Sequence, residues 1–122
     1  MDLDYLDELS KEDYYECIID MPFNKPRPPI RTPVNRVYGC NSDTWVDVDI
    51  ANDIILYDSQ SLFVRGMLAV LTSQISTLSE AKNRSMDEFK HLDASIISMQ
   101  RYRGLQSFLD KLTIILENKY NM

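Results

Sequence analysis

The residue best placed for chemistry is Cys40, which lies in the heptapeptide G-C-N-S-D-T-W at residues 39–45. A thiolate is the reactive form of cysteine, and a thiol that follows a glycine in a loop is placed for reaction rather than for packing. Cys17 is the other cysteine of the chain and lies in a different local context. We therefore expect Cys40 to act without a neighbouring cysteine in sequence.

The segment that leads to Cys40 is basic and rich in proline. Residues 21–42 contain no acid and all five prolines, together with the bases Lys25, Arg27, Arg31 and Arg36. Proline fixes φ and lacks an N–H donor, so the segment is predicted to be a stiff, extended connector. Nearby positive charge would favour the thiolate of Cys40. The alternative is a surface linker with solvated arginines.

Hydrophobic periodicity predicts the elements that position this loop. Ser10 is expected to cap a helix, residues 35–39, 43–50 and 54–58 read as three strands, and residues 51–53 supply a hairpin turn. A buried helix follows residue 60, a short helix is expected around 85–93, and an amphipathic helix at about 101–118. The prediction is an α+β domain with a small antiparallel, about three-stranded sheet and helices packed on it.

Composition narrows the class of protein. The chain has 122 residues, 44% of them hydrophobic, which fits one domain at 1–122 with a real core. A net charge of −6 argues against nucleic-acid binding. The acidic N-terminus does not resemble a leader, and no apolar run is long enough for a membrane span. Two cysteines do not make a disulfide scaffold, so we predict a cytoplasmic, soluble protein.

Three blocks, each containing one of the three glycines, carry a resemblance to a known family. They are G-C-x-S-x-x-W from Gly39, D-S-x-S-x-x-V-R-G-M-x-A-V-L from Asp58, and I-S-x-x-R-x-x-G-L from Ile97. In this order and spacing they resemble the SufE family, as does the Pro28-Pro29 pair before the cysteine. The resemblance covers roughly residues 12–116, which leaves 1–11 as an N-terminal extension, and it implies a SufE/IscU-like fold.

The resemblance implies a function for Cys40. Proteins of this family accept sulfur from a pyridoxal-phosphate-dependent cysteine desulfurase, of the SufS or CsdA type, for iron–sulfur cluster assembly. Cys40 would then be the persulfide acceptor of a carrier that stimulates the desulfurase, rather than of a stand-alone enzyme. It would need no cofactor or metal of its own. Its partners would be the desulfurase and a downstream scaffold or acceptor, and a monomer is the simplest expectation. Family structures suggest that loop 38–43 has a protected and an extended state.

Supporting roles are open at several positions. Ser42 either bonds the loop backbone near Cys40 or is an ordinary turn serine. Arg101 matches the family's arginine near the cysteine loop, with a solvated helix-start arginine as the alternative. Asp58 is expected to cap the buried helix. Arg65 is expected to pair with Asp58 or to face the loop.

Three further side chains are predicted to have no catalytic role. Trp45 is predicted to be core and Cys17 to be an inert, small hydrophobic residue on a helical stripe. His91, the only histidine, is expected to be solvated rather than paired with Cys40.

The chain also departs from the family pattern. Met99 and Gln100 stand where the family often has a proline and a small residue, and the connector between Pro29 and Cys40 is shorter. These differences leave the sulfur site intact and bear on partner contacts. Two other functions stay open: an interaction-only regulator of the desulfurase, and an independent thiol enzyme, for which the sequence shows no base or resolving cysteine near Cys40.

Overall fold

The computed structural model describes residues 2–120, which form an α+β domain. Two strands, β1 (Thr44–Asp49) and β2 (Ile54–Ser59), make the sheet. The helices are α1 (Lys11–Ile19), α2 (Leu62–Ser73), α3 (Ala94–Ile97) and α4 (Met99–Tyr120). Short 3₁₀ turns lie at Asp4–Glu8, Pro33–Asn35, Leu78–Glu80 and Met86–Glu88. The predicted combination of a small sheet with packed helices is confirmed.

The sheet is an antiparallel hairpin in which Thr44 pairs with Ser59 and Asp49 with Ile54. Val46 and Val48 of β1 are buried while the aspartates between and after them are partly exposed, which is the alternation of a half-buried strand. The hairpin turn falls at residues 50–53 as predicted, and Asp53 adopts a left-handed φ of 55° there.

The prediction of a third strand at 35–39 is wrong, since the sheet among residues 2–120 has two strands. Pro33 opens a 3₁₀ turn that ends at Asn35, and only Arg36 bridges to Trp45 of β1. Val37 N–H donates one bond to the carbonyl of Thr44 at 2.8 Å. The chain then bends at Gly39, whose φ of +102° is left-handed. Since both neighbours of this short stretch are turns, one bridge forms instead of a ladder.

Serine side chains cap α1 and α2, the helices that precede and follow the hairpin along the chain. Ser10 Oγ accepts a bond from the backbone N–H of Asp13 at the start of α1, as predicted. At α2 the cap is Ser61, which accepts from Val64 N–H at 3.2 Å, so the prediction that Asp58 caps this helix is wrong. The reason is distance along the chain, because Asp58 still belongs to β2.

Helix α2 is the centre of the core and packs closely against α1. Most of its residues from Phe63 to Leu71 are buried, as predicted for a helix that is apolar around most of its circumference. A Cβ on Gly66 would lie 1.8 Å from the carbonyl oxygen of Ile18. The absence of a side chain at residue 66 therefore allows α1 and α2 to approach each other directly.

Helix α4 packs against β1 with the predicted apolar stripe. The buried residues of this stripe are Leu105, Phe108, Leu109, Leu112, Ile115 and Leu116. The helix begins at Met99 rather than 101, directly after Ser98, whose φ of 89° separates α4 from the short α3. This positive φ breaks the helical path and lets the two helices point in different directions.

The polar region 76–98 folds without the helix predicted around 85–93. Within residues 85–93 the regular structure is limited to a 3₁₀ turn at Met86–Glu88, with a capping box between Ser85 and Glu88. Gln106 of α4 accepts a bond from Met86 N–H and donates one to Arg84 O. Part of the backbone of this region thus bonds to side chains of other elements, in place of the internal bonds of a helix.

The first residues belong to the core. Leu3 and Leu6, around the Asp4–Glu8 turn, are 5% and 1% exposed and join the main hydrophobic cluster. Among residues 2–120, no helix combines the length and the apolar character that crossing a membrane requires.

Candidate functional site

Cys40 lies in the irregular segment between the 3₁₀ turn at Pro33–Asn35 and β1, where it is half-buried against α4. Its thiol donates to the carbonyl oxygen of Gly104, with Sγ and O 3.4 Å apart. A Cβ on Gly104 would sit 3.3 Å from Sγ, and one on Gly39 would sit 2.6 Å from Ser107 Oγ. The two glycines therefore let the loop rest directly on one face of α4.

A cavity of about 280 Å³ opens beside the thiol. Its lining combines the loop with the starts of α2 and α4, and it includes Cys40, Ser42, Ser61, Met67, Arg101 and Leu105. The three sequence blocks around Gly39, Gly66 and Gly104 meet here, since each contributes residues to this wall. The cavity is therefore the place where Cys40 meets the helices of the core.

The electrostatics of the thiol differ from the prediction. Burial raises the pKa of Cys40 above its ordinary 9.0, and the contact with Thr44 lowers it by less. The bases before the loop do not reverse this effect because Arg36 pairs with Asp43 and Arg31 with Asp58. In this conformation burial therefore favours the protonated thiol of Cys40, which is opposite to the effect on its pKa that was predicted from the basic connector.

Two buried hydroxyls hold the loop backbone, and the sequence analysis did not identify them in this role. Thr44 Oγ1 lies 3.0 Å from the carbonyl oxygen of Ser42 and 3.1 Å from Ser59 Oγ, which donates to the carbonyl of Asp43. Ser42 contributes its carbonyl to this network, and its side chain lines the cavity. The signal in the sequence was the pair of polar residues at facing strand ends, Thr44 and Ser59.

Arg101 is at the cavity with Cys40, and its position is set by aromatic rings. Its guanidinium carbon lies 4.6 Å from the ring centre of Phe63 and 5.7 Å from that of Tyr15. Nη1 donates to the hydroxyl of Tyr15 at 3.2 Å and to the carbonyl of Ile97 at 3.3 Å. The side chain is thus held in place although it is exposed.

Asp58 is a buried carboxylate, 2% exposed, that joins the basic connector to α2. Arg31 Nε donates to it at 2.8 Å, and Arg65 Nη2 lies 3.4 Å from its other oxygen. Arg31 also stacks on Trp45, which is buried as predicted, at 4.7 Å. Of the two alternatives predicted for Arg65, pairing with Asp58 or facing the cysteine loop, the structure shows the first.

Cys17 and His91 lie outside the wall of the Cys40 cavity. Cys17 is a free, half-buried thiol packed against the core from α1. The prediction of a solvated histidine is wrong, since the His91 side chain is only 6% exposed. Its Nδ1 lies 2.9 Å from Asp7 Oδ1, and its Nε2 lies 3.4 Å from Asp4 Oδ1. The segment at 4–8 covers the ring, which the sequence of residues 76–98 alone does not reveal.

Fold and site together define the class: a small α+β domain that presents one cysteine of a turn to a cavity at its surface. The SufE family model, described as an Fe-S metabolism associated domain, matches residues 3–115. The chain therefore belongs to the SufE family, and the predicted resemblance is confirmed. The match begins within the stretch that the sequence analysis set apart as an extension at 1–11, in keeping with the buried Leu3 and Leu6.

A curated relative supports the same assignment. It is an uncharacterised SufE-like protein of Rhizobium etli, 29% identical over an alignment of 115 residues; the similarity covers 83% of this chain and 76% of the relative. The similarity therefore extends over most of both chains and is not confined to the cysteine loop.

Proposed function

We propose that this protein is a sulfur carrier whose Cys40 accepts a persulfide sulfur from a cysteine desulfurase. The observation that carries the proposal is the position of Cys40, on a loop that rests on α4 through one weak thiol bond and borders an open cavity. Membership of a family associated with Fe-S metabolism supports the same reading. The sulfur would be passed on to a scaffold or acceptor of iron–sulfur cluster assembly, in the cytoplasm and from a monomeric carrier.

The reaction needs only one protein thiol. The thiolate of Cys40 attacks the outer sulfur of the desulfurase persulfide, a new S–S bond forms at Cys40 Sγ, and the S–S bond on the desulfurase breaks. The desulfurase cysteine leaves as a thiolate, and the outer sulfur keeps its proton. Pyridoxal phosphate belongs to the partner, where it releases the sulfur from free cysteine. Removing the sulfur from the partner's cysteine is also how the carrier would stimulate turnover.

The resting conformation has to change for this step. Burial raises the pKa of Cys40, and the thiol hydrogen is engaged by Gly104 O. Attack requires the deprotonated and accessible form. We infer that loop 38–43 leaves the surface of α4 when the desulfurase binds, which frees the thiol and returns its pKa toward the ordinary value.

The rim of the cavity offers a surface for the partner. Leu62 and Met99 flank lining residues of α2 and α4 and are 57% and 52% exposed. Exposed apolar side chains around a reactive group are typical of a protein interface. Met99 is one of the positions where the chain departs from the family pattern, so we expect it to tune the choice of desulfurase.

The decisive experiment is intact mass spectrometry after incubation with cysteine and a desulfurase. The expected result is a mass gain of one sulfur in the wild type and in Cys17→Ser, and no gain in Cys40→Ser. If the wild type gains no sulfur, and Cys40→Ser raises desulfurase turnover as much as the wild type does, the protein is an interaction-only regulator and the carrier proposal is wrong.

The opening of the loop has its own test. The rate at which a thiol reagent labels Cys40 is measured in Cys17→Ser with and without the desulfurase, whose own cysteine is first replaced by serine. We expect faster labelling in the complex. Equal or slower labelling contradicts the two-state loop.

A further inference from the structure

The cavity beside Cys40 is larger than protein-to-protein sulfur transfer requires. A persulfide adds one sulfur atom to Cys40, whereas the cavity has a volume of about 280 Å³. Pockets for drug-sized ligands span roughly 300–1,000 Å³. A space just below that range suits a molecule of amino-acid size, in direct contact with the thiol.

The charged and polar residues that line the Cys40 cavity indicate which kind of small molecule it would bind. The whole chain carries a net charge of −6, yet the residues that line this cavity include no aspartate or glutamate and one full positive charge, Arg101. The other polar lining groups near it, Ser61, Ser98 and Gln100, all have hydrogens to donate. A site that is rich in donors and carries a positive charge favours an anionic acceptor.

Arg101 is prepared to bind such an anion. Its contacts with Tyr15 and Ile97 use Nη1, and the ring of Phe63 supports the guanidinium plane. No ion pair between residues 2–120 includes Arg101, so Nε and Nη2 remain available. A guanidinium fixed in this way is suited to a carboxylate, because its paired donors match the two oxygens.

The rest of the wall suits the carbon and sulfur atoms of the same ligand. Val64, Met67 and Leu105 supply an apolar surface behind Cys40. Soft, polarisable sulfur packs well against methionine and aliphatic carbon. The cavity therefore has an apolar part next to the thiol and a cationic part at Arg101.

We propose that the Cys40 cavity binds a small, carboxylate-bearing thiol compound, so that Cys40 also exchanges sulfur with low-molecular-weight persulfides. In this step the Cys40 thiolate attacks the outer sulfur of R–S–SH, where R carries the carboxylate. The Cys40–S–SH persulfide forms, the S–S bond of the small molecule breaks, and R–S⁻ leaves with the proton balance unchanged. The inference rests on the proposed role of Cys40 as the nucleophile, and Arg101 holds the carboxylate.

The test uses small symmetrical disulfides as probes and no desulfurase. Rates of mixed-disulfide formation at Cys40 are measured in a Cys17→Ser background with dithiodipropionate, which is anionic, and with the disulfide of 2-mercaptoethanol, which is neutral. The ratio of the two rates cancels differences in the thiolate fraction and in loop opening. Arg101→Gln removes the proposed anion partner, and Arg103→Gln removes an exposed arginine outside the cavity wall on the same helix.

We expect Arg101→Gln to lower the ratio of the anionic to the neutral rate about tenfold, as for the loss of one charge-assisted hydrogen bond. Arg103→Gln should leave the ratio within about twofold of the starting protein. An unchanged ratio in Arg101→Gln, an equal loss in both variants, or no reaction of Cys40 with either probe overturns the inference. The desulfurase is absent from this test. If the protein takes sulfur from the desulfurase but shows no preference for the anionic probe, the sulfur-carrier proposal stands and only the inference about small thiol compounds is wrong.

Discussion

The thiol of Cys40 is bonded to the backbone of a helix that begins nearly sixty residues later in the chain, with Sγ 3.4 Å from the carbonyl oxygen of Gly104. Gly104 also leaves the space that the sulfur occupies, since a Cβ there would lie 3.3 Å from Sγ. This contact connects the cysteine loop to α4, where burial raises the pKa of the thiol.

Replacing Gly104 by alanine is expected to loosen the cysteine loop without unfolding the protein. The new methyl group forces the loop to move by a few tenths of an ångström, and alanine favours the helix by about 1 kcal/mol over glycine. We expect Cys40 to be labelled several-fold faster by a thiol reagent, with the free energy of unfolding changed by less than about 1 kcal/mol. The measurement is a labelling time course in a Cys17→Ser background.

The matched control for this variant is Arg103→Ala, the exposed neighbour of Gly104 on α4. It should leave the labelling rate unchanged. A labelling rate in Gly104→Ala no higher than that of the control shows that contact with Gly104 does not restrain the loop.

The raised pKa of Cys40 gives stability a defined dependence on pH. Burial holds the folded pKa above the ordinary 9.0, so the unfolded chain releases the proton first as pH rises. The contribution is therefore complete below about pH 9 and is lost as pH rises through the folded pKa. We expect the free energy of unfolding of the wild type, relative to Cys40→Ala, to fall between about pH 7 and about pH 10. Urea titrations at both values measure it, and a constant difference contradicts the prediction.

Asp58 is expected to contribute to stability through its charge. Burial on its own would raise the pKa of Asp58, but its bonds with Arg31, Ser59 N–H and Arg65 lower it below the ordinary 3.8. At neutral pH, Asp58→Asn should reduce the free energy of unfolding by about 2 kcal/mol, the value of a charge-assisted hydrogen bond. The difference from wild type should persist above about pH 4 and vanish as pH falls through the folded pKa.

The control for Asp58 is Asp87→Asn, which changes an exposed carboxylate in the 3₁₀ turn at 86–88. It should shift the free energy of unfolding by less than about 0.5 kcal/mol. Equal effects of the two variants in urea denaturation at neutral pH indicate that the buried ion pairs add nothing beyond surface charge.

Gly66→Ala is expected to be far more damaging than Gly104→Ala. The added Cβ would lie 1.8 Å from the carbonyl oxygen of Ile18, and neither backbone can yield without separating α1 from α2. We expect a loss of about 3 kcal/mol or more, at the upper end for overpacked cores. Thermal unfolding followed by circular dichroism measures both alanine variants, and similar melting temperatures for the two would argue against the close approach of the helices.

Much of the architecture follows from local patterns in the chain. The alternation at 44–49, the apolar circumference of α2 and the stripe of α4 were all readable, because burial on one face imposes a period of 2 or 3.6 on the sequence. No strand forms at 35–39, because the 3₁₀ turn at Pro33–Asn35 precedes this stretch and the bend at Gly39 ends it. The helix expected at 85–93 failed since Gln106, twenty residues away from Met86, supplies the backbone partner.

The residues of the candidate site were likewise predicted only in part. Cys40 was singled out from its residue type and local context and Arg101 from the resemblance to the SufE family, and the structure brings the two to one cavity. Thr44 contacts Ser59, Tyr15 contacts Arg101 and Asp58 binds Arg31, and these partners are distant in sequence, so spacing did not reveal them.

Residue order alone was enough to identify the family and to single out the candidate thiol, because both depend on short local motifs. The protonation state of that thiol was decided by packing. Cys40 follows a basic connector and was expected to ionise easily, but the fold pairs the arginines with Asp43 and Asp58 and buries the sulfur against Gly104. Desolvation and charge pairing depend on which surfaces meet, and only the assembled helices and sheet determine that.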